Sequence, residues 1–204
     1  MFFEVSFINL KYELILASNS QSRAAILKTV KIPFMQIVAN IDEEKLLNLN
    51  AQSSYKMQVQ NLAGAKAMEV STRYPDSLII GADQMVLFEN RLLGKPGNRE
   101  NTVLQLSKLQ SKRHQLLSGW AICLGKKILA KGTDTVSLKM RPMSKELLIK
   151  YVELEKSYDS CGGYYFESAG RLLFDEVSGS YDSILGLPLE PLLNAIWDLD
   201  LVMP

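Results

Sequence analysis

Two short, wholly apolar runs constrain the fold more than any other feature of the sequence: Leu14–Ala17 and residues 78–80. Neither run alternates apolar with polar residues, and such a pattern is typical of a strand buried on both faces of a sheet. A polar cluster and a helical segment carrying Ala24, Ile26 and Leu27 follow the first run, and a hairpin pattern follows the second. We therefore predict an α/β fold in which a mixed central sheet is flanked by helices.

Local signals predict the other elements. Tyr55, Val59, Leu62 and Lys66 recur at helical spacing and predict one long helix over about residues 54–72. The remaining predictions are a strand over 34–38, a hairpin over 85–93, a helix bearing residues 103–109, two long antiparallel strands over 114–140, a helix capped by Ser144 and a last helix over 189–197.

The charge balance excludes several classes of function. Lys and Arg number 23 against 22 Asp and Glu, so no overall field draws the chain to nucleic acid or to an anionic membrane. No apolar run approaches the roughly 20 residues that span a bilayer. Two distant cysteines, Cys123 and Cys161, predict reduced, buried thiols in a cytoplasmic protein. Residues 1–204 are predicted to form one domain, with residues 1–10 as an edge strand or a peripheral leader.

The polar segment after the first apolar run is a candidate anion site. Ser18, Ser20 and Arg23 join a strand to a helix, and the unpaired N–H groups at a helix N-terminus favour an anion such as phosphate. A purely structural interpretation is that Ser18 or Ser20 caps the helix while Arg23 lies in water. Taken alone, this segment favours the structural interpretation, because caps of this kind are common.

Three charged residues occupy positions that suggest chemistry. Asp83 directly follows the second apolar run, where α/β sheets place ligands, so it would hold a metal or activate a water unless it only starts a turn. Lys66 lies on an apolar helix face, so it either extends to solvent along the packed surface or points into a cavity that holds an anion. Lys95 lies between Gly94 and Pro96 in a constrained backbone, where it would meet phosphate or be solvated.

Other types of site are excluded by the sequence. His114 is the only histidine, so a metal site built on histidines is impossible. The chain has neither a Gly-Lys-Ser/Thr phosphate loop nor a Gly-x-Ser-x-Gly nucleophile elbow. The aromatic residues 164–166 would stack a nucleobase or, as is commoner for such clusters, pack in the core.

Taken in order, these segments resemble the Maf family of nucleotide pyrophosphatases. The likeness runs from Leu14 nearly to the C-terminus, and so many segments in one order make coincidence a poor explanation. It is carried by residues 14–20, Arg23, 42–43, 65–67, 80–84, 94–96, His114, 118–119, 162–164, Glu167 and 186–189.

The resemblance implies an elongated sheet with two lobes and a cleft, as in inosine triphosphatase-like proteins, and hydrolysis of a nucleoside triphosphate to the monophosphate and pyrophosphate. It implies that Mg²⁺ or Mn²⁺ takes part and that the chain forms a homodimer. By position, the resemblance makes Ser18, Ser20 and Arg23 phosphate ligands and makes Lys66 and Lys95 the two lysines of the cleft. It makes Glu43, Asp83 and Glu167 polar residues of the cleft. Glu43 and Asp83 would hold the metal, and Asp83 is also the candidate base.

The sequence departs from the family pattern in two places. The family loop commonly reads Ser-Pro-Arg-Arg, whereas Ser20-Gln21-Ser22-Arg23 keeps only the second arginine. Gln84 and Glu167 resemble the branch that acts on 7-methyl-GTP more than the branch that acts on dTTP and UTP. Glutamate in place of glutamine removes two N–H donors and adds a charge, which favours a cationic methylated guanine.

Two further functions remain open at the level of sequence. The first is a non-catalytic, nucleotide-binding regulator of cell division, which would tolerate the loss of Asp83. The second is a house-cleaning enzyme that acts on deaminated purine triphosphates.

Overall fold

The computed structural model describes residues 7–203, which form seven strands, seven α-helices and one 3-10 helix. The strands are β1 (Leu14–Ala17), β2 (Phe34–Gln36), β3 (Leu78–Phe88), β4 (Arg91–Leu93), β5 (Arg113–Leu124), β6 (Lys127–Met140) and β7 (Phe174–Ser178). The helices are α1 (Gln21–Thr29), α2 (Glu43–Leu49), α3 (Tyr55–Arg73), α4 (Arg99–Leu109), α5 (Lys145–Glu155), α6 (Tyr181–Ile184) and α7 (Leu189–Asp198), and the 3-10 helix is Ala169–Leu173.

The strands form one mixed sheet. Its order is β2-β1-β3-β5-β6-β7, and β4 pairs with β3. Strand β1 is parallel to both β2 and β3, whereas β3 with β4 and β6 with β7 are antiparallel pairs. The predicted α/β class with a mixed, helix-flanked sheet is therefore confirmed.

The chain divides into two compact units. The first unit comprises the described residues up to Gln84, Ser118–Asp134 and the described residues from Leu185 onward; the second comprises Met85–Leu117 and Thr135–Ile184. Strands β3, β5 and β6 each contribute residues to both units.

The first unit is built on strands that are buried on both faces, as the uninterrupted apolar runs predict. Leu14 and Leu16 belong to a core cluster that also holds the buried residues of α1 and α7. Ile15 and Ala17 point to the other face and pack with Ala63, Ala67 and Val70 of α3. Successive side chains of a strand alternate between faces, so four apolar residues in a row serve both cores.

Two glycines allow α3 to pack closely on the sheet. A Cβ at Gly81 of β3 would overlap the carbonyl oxygen of Ala63, and a Cβ at Gly119 of β5 would lie 2.6 Å from the carbonyl oxygen of Val59. Any larger side chain at Gly81 would push α3 away, because the obstacle is backbone. The close packing of α3 on the sheet fixes the distance between α3 and Asp83, which lies two positions after Gly81.

The second unit contains α4 and α5, and the cap of α5 is the one that the sequence predicts. Asn98 accepts a hydrogen bond from the backbone N–H of Asn101, and Ser144 accepts one from Leu147. A buried aromatic group lies in the same unit: His114 Nε2 is 2.7 Å from the hydroxyl of Tyr164, and both rings contact Phe174. The aromatic residue Tyr164 therefore serves the core, the commoner of its two predicted uses.

The burial of His114 makes the stability of this unit sensitive to acid. Burial lowers the pKa of His114 from 6.5 to about 4, and its Nδ1 has no hydrogen-bond partner among residues 7–203. Because the folded-state pKa lies below the unfolded-state value, stability is fully present above pH 6.5 and is lost as the pH falls toward 4. Between pH 7 and pH 5, His114 is expected to remove about 2 kcal/mol from the free energy of unfolding.

Chemical denaturation of His114→Gln measures this contribution. Glutamine does not titrate and retains a donor for Tyr164, so the variant should lose less stability than the wild type over the same pH range. Equal losses in the two proteins would show that carboxylates, not His114, dominate the acid response.

Several sequence predictions are corrected. Helix α2 was not predicted, because none of its residues is buried and no apolar stripe marks it. Cys123 is a buried thiol as predicted, but Cys161 is only half-buried. Residues 1–6 of the predicted leader lie outside the described residues, whereas Leu10 pairs with Val202 in an antiparallel bridge. No helix within residues 7–203 is long and apolar enough to cross a membrane.

Candidate active site

Asp83 does not follow a strand, contrary to the sequence prediction, but lies inside β3. The strand continues to Phe88 because Met85, Val86 and Phe88 are also buried and supply apolar contacts beyond the polar pair Asp83-Gln84. Asp83 is only 8% exposed. Side chains alternate along the strand, so Asp83 shares the face of Gly81, against which α3 packs.

Lys66 meets Asp83 on that face. Its Nζ lies 2.6 Å from Asp83 Oδ1 and 2.8 Å from Glu43 Oε1. The side chains of Lys66 and Asp83 are each 12% exposed, whereas that of Glu43 is 53% exposed. The interpretation that Lys66 extends to solvent is therefore wrong: the lysine holds an ion pair with two carboxylates.

Glu43 reaches this pair from the first residue of α2. Asp42 caps the helix by accepting a hydrogen bond from the backbone N–H of Lys45 at 2.9 Å. The cap fixes the start of α2, and an acidic residue in the first turn is favoured by the helix dipole. The Glu43–Lys66–Asp83 cluster thus joins α2, α3 and β3, and its two carboxylates exceed its single cation by one charge.

The cluster has donors that suit a hard divalent cation. The described residues contain no group of three or more His, Cys, Asp or Glu side chains arranged to hold a metal. Mg²⁺ seldom needs such a cage, since it commonly binds one or two carboxylates, waters and the oxygens of a substrate phosphate. The two carboxylates around Lys66 could therefore supply part of the coordination shell of Mg²⁺ or Mn²⁺, and phosphate oxygens and waters would supply the rest.

The loop between β1 and α1 contains the helix cap that one interpretation of its sequence predicts. Ser20 caps α1, because its hydroxyl accepts from the backbone N–H of Arg23 at 3.3 Å. The hydroxyl of Ser18 accepts from the backbone N–H of Ser20 and from Arg23 Nη1, each at 3.2 Å. The loop is thus fixed by its own side chains at the N-terminus of a helix, where anions are favoured.

Arg23 is anchored to the protein and does not lie in water. Its Nε donates to the carbonyl of Gly186 at 2.9 Å, and its Nη1 donates to the carbonyl of Ala82 at 3.0 Å. Gly186 has a φ of +90°, and a Cβ there would lie 3.2 Å from Arg23 Nε. Since Ala82 precedes Asp83, the arginine ties the loop to the strand that carries the aspartate.

Sequence reasoning missed Gln36, which holds the same loop from β2. Its Nε2 donates to the carbonyls of Ser18 at 2.8 Å and Ser20 at 3.3 Å. No local pattern marks this residue, since an exposed glutamine on a short edge strand is unremarkable. Gln84, which is one of the predicted site residues, donates to the hydroxyl of Ser118 at 2.9 Å.

Lys95 and Glu167 belong to the second unit. Lys95 is exposed and lines a pocket of about 310 Å³ with Pro96, Asn101 and Lys108. Glu167 is exposed and precedes the 3-10 helix. The residues that the structure brings together are thus those of the first unit: the Glu43–Lys66–Asp83 cluster and the loop with Ser18, Ser20 and Arg23.

The chain is similar to known proteins over most of its length. The family model described as "Maf-like protein" matches residues 13–199. A protein of Legionella pneumophila (strain Lens) named nucleoside triphosphate pyrophosphatase is 38% identical over 93% of this chain and 94% of its own. A protein of Symbiobacterium thermophilum named dTTP/UTP pyrophosphatase is 36% identical over 87% of this chain and 89% of its own.

A solved structure, that of the Staphylococcus aureus Ham1 protein, is a more distant likeness. It superposes with a TM-score of 0.46 at 17% identity, covering 92% of this chain and 99% of the other. A likeness at this level carries no information about activity.

Proposed function

This chain belongs to the Maf-like family, and on that premise we propose that it is a nucleoside triphosphate pyrophosphatase. The reaction is attack of water on the α-phosphorus, cleavage of the bond between that phosphorus and the bridging oxygen, and departure of pyrophosphate. The observation that carries the proposal is the nearly buried Asp83, held by Lys66 at 2.6 Å beside the carboxylate of Glu43.

We assign to Asp83 the role of orienting and deprotonating the attacking water. An ionised carboxylate accepts hydrogen bonds only, so it can orient a water molecule and take its proton during attack. Lys66 fixes the carboxylate in one orientation and supplies positive charge beside it. Phosphoryl transfer depends mainly on positioning and charge neutralisation, and this pair provides the positioning.

The phosphates are assigned to the loop of the first unit and to the lysines. Ser18, Ser20 and the start of α1 offer hydroxyl and backbone donors, and the loop is fixed before substrate arrives by Arg23 and Gln36. Lys66 and Lys95 supply the remaining positive charge, as the family resemblance predicts. A divalent ion would be held by Glu43 and Asp83 and would neutralise charge on the phosphate oxygens.

A product assay tests the proposal. Purified protein with Mg²⁺ or Mn²⁺ should convert at least one nucleotide from a panel of triphosphates to the monophosphate and pyrophosphate. The panel should include 7-methyl-GTP, dTTP, UTP and inosine triphosphate. Release of orthophosphate and a nucleoside diphosphate would mean attack on the γ-phosphorus and would contradict the assignment. Tight nucleotide binding without any product would instead support a regulator.

The base preference is a finer proposal, and it rests on Gln84 and Glu167. We expect a higher kcat/KM for 7-methyl-GTP than for dTTP or UTP, because a carboxylate at position 167 favours a cationic base. Glu167→Gln should move the ratio toward dTTP and UTP. A clear dTTP or UTP preference of the wild type, as in the name of the Symbiobacterium relative, would refute it.

A further inference from the structure

Lys66 and Lys95, the two lysines assigned to the triphosphate, are held in different ways. The Lys66 ammonium is fixed by two carboxylates at 2.6 and 2.8 Å. The Lys95 side chain is exposed, and within the part of the chain described it has neither an ion pair nor a hydrogen bond. The direction of a lysine without a side-chain partner depends on the conformation of its backbone.

That backbone is fixed from several sides. Pro96 restricts its own φ and the conformation of Lys95 before it. The N–H of Gly97 donates to the carbonyl of Tyr158 at 2.9 Å, and Gly97 has a φ of +77°. The segment from Gly94 to Gly97 thus ends in a conformation that suits glycine and is tied to the chain after α5.

Two amide side chains of α4 then hold the carbonyls on either side of Lys95. Asn101 Nδ2 donates to the carbonyl of Pro96 at 3.2 Å, and Gln105 Nε2 donates to the carbonyl of Gly94 at 3.3 Å. Asn101 and Gln105 are four residues apart and therefore lie on one face of α4. The helix is anchored in the second unit by its buried residues Val103, Leu106 and Leu109.

These two hydrogen bonds are not needed to satisfy buried carbonyl groups. Asn101 is exposed and Gln105 is half-buried, so water could satisfy both carbonyls if the amides were absent. The bonds instead fix the loop relative to a rigid helix, at a cost in side-chain entropy. Their main effect is therefore expected on the position of Lys95 and only weakly on stability.

We propose that Asn101 and Gln105 are positioning residues that aim Lys95 by clamping the carbonyls before and after it. The proposal rests on the function given above, in which Lys95 binds the triphosphate. In this proposal the two amides act through the lysine and not on the substrate. Each acts by keeping the lysine backbone in one conformation, because displacement of a binding group by about 1 Å is enough to slow catalysis strongly.

The test is a pair of variants made in two backgrounds. Gln105→Met and Asn101→Leu remove the donors, and each is made in the wild type and in Lys95→Met. In the wild-type background each should lower kcat/KM by about tenfold. In the Lys95→Met background each should change it less than about twofold, because the group being aimed is gone. Gln115→Met is the matched control: Gln115 is an exposed glutamine of the second unit for which residues 7–203 provide no side-chain hydrogen bond.

Hydrogen exchange gives a readout that does not need turnover. The amide of Gly97, which is bonded to the carbonyl of Tyr158, should exchange faster in Gln105→Met and Asn101→Leu than in the wild type or Gln115→Met. Unchanged exchange, or equal losses of kcat/KM in both backgrounds, would overturn the clamp. A wild type that releases no pyrophosphate would overturn the proposed function, and the catalytic role of the clamp with it, whatever the exchange shows.

Discussion

Asp83→Asn is expected to lower kcat by about 10²-fold or more while the protein stays folded and still binds nucleotide. The substitution is nearly isosteric, and the amide oxygen of asparagine can still accept a hydrogen bond from Lys66. Lys66 also keeps Glu43 at 2.8 Å. The expected loss of stability is about 1–3 kcal/mol, because an ion pair is replaced by a hydrogen bond in which only the lysine is charged.

The measurement is steady-state kinetics combined with nucleotide binding by calorimetry. Ser18→Ala is a useful comparison, because it removes a hydroxyl of the loop and should weaken binding more than turnover. Near-normal kcat in Asp83→Asn would remove this aspartate from the mechanism. Glu43 or Glu167 would then be the candidate residue for orienting or deprotonating the attacking water.

Lys66→Met is expected to damage both activity and stability. The thioether side chain fills the space of the lysine stem, but the nearly buried Asp83 is left beside Glu43 without a cation. Removing one partner of a buried ion pair costs about 3–5 kcal/mol. This estimate applies to the nearly buried Asp83 and not to Glu43, which is half-exposed. Loss of the cation should also raise KM and reduce kcat/KM by about 10²-fold or more.

The double variant Lys66→Met/Asp83→Asn separates the two effects. It removes the buried negative charge together with its partner, so its free energy of unfolding should lie above that of Lys66→Met alone. Its activity should remain low. A Lys66→Met protein as stable and as active as the wild type would contradict both the ion pair and the role of the lysine.

The elements that the sequence predicted are those with a strong pattern of their own. Strand β1 was predicted with its bounds because Leu14–Ala17 is wholly apolar, and α3 because Val59 and Leu62 recur at helical spacing. Strand β3 was predicted too short, since Asp83 and Gln84 resemble the start of a turn. Their strand conformation depends on the buried apolar residues that follow them, and the polar pair alone does not reveal it.

The site residues depend even more on contacts that a local sequence pattern does not contain. Lys66 was identified as unusual because a lysine on an apolar helix face needs a partner, but its two partners come from β3 and α2. That contact depends on the missing Cβ of Gly81, which lets α3 approach the sheet. Gln36 and Gln105 are amides whose significance lies only in the backbone carbonyls they meet, and no spacing rule predicts such contacts.

The central claim is that this chain directs water to the α-phosphorus of a nucleoside triphosphate, and the position of the new oxygen tests it most directly. Hydrolysis of the preferred nucleotide in H₂¹⁸O should place the heavy oxygen in the nucleoside monophosphate and leave the pyrophosphate unlabelled, as read by mass spectrometry. Label in the pyrophosphate would mean attack on the β-phosphorus. Label in orthophosphate would mean attack on the γ-phosphorus, and either result would contradict the account.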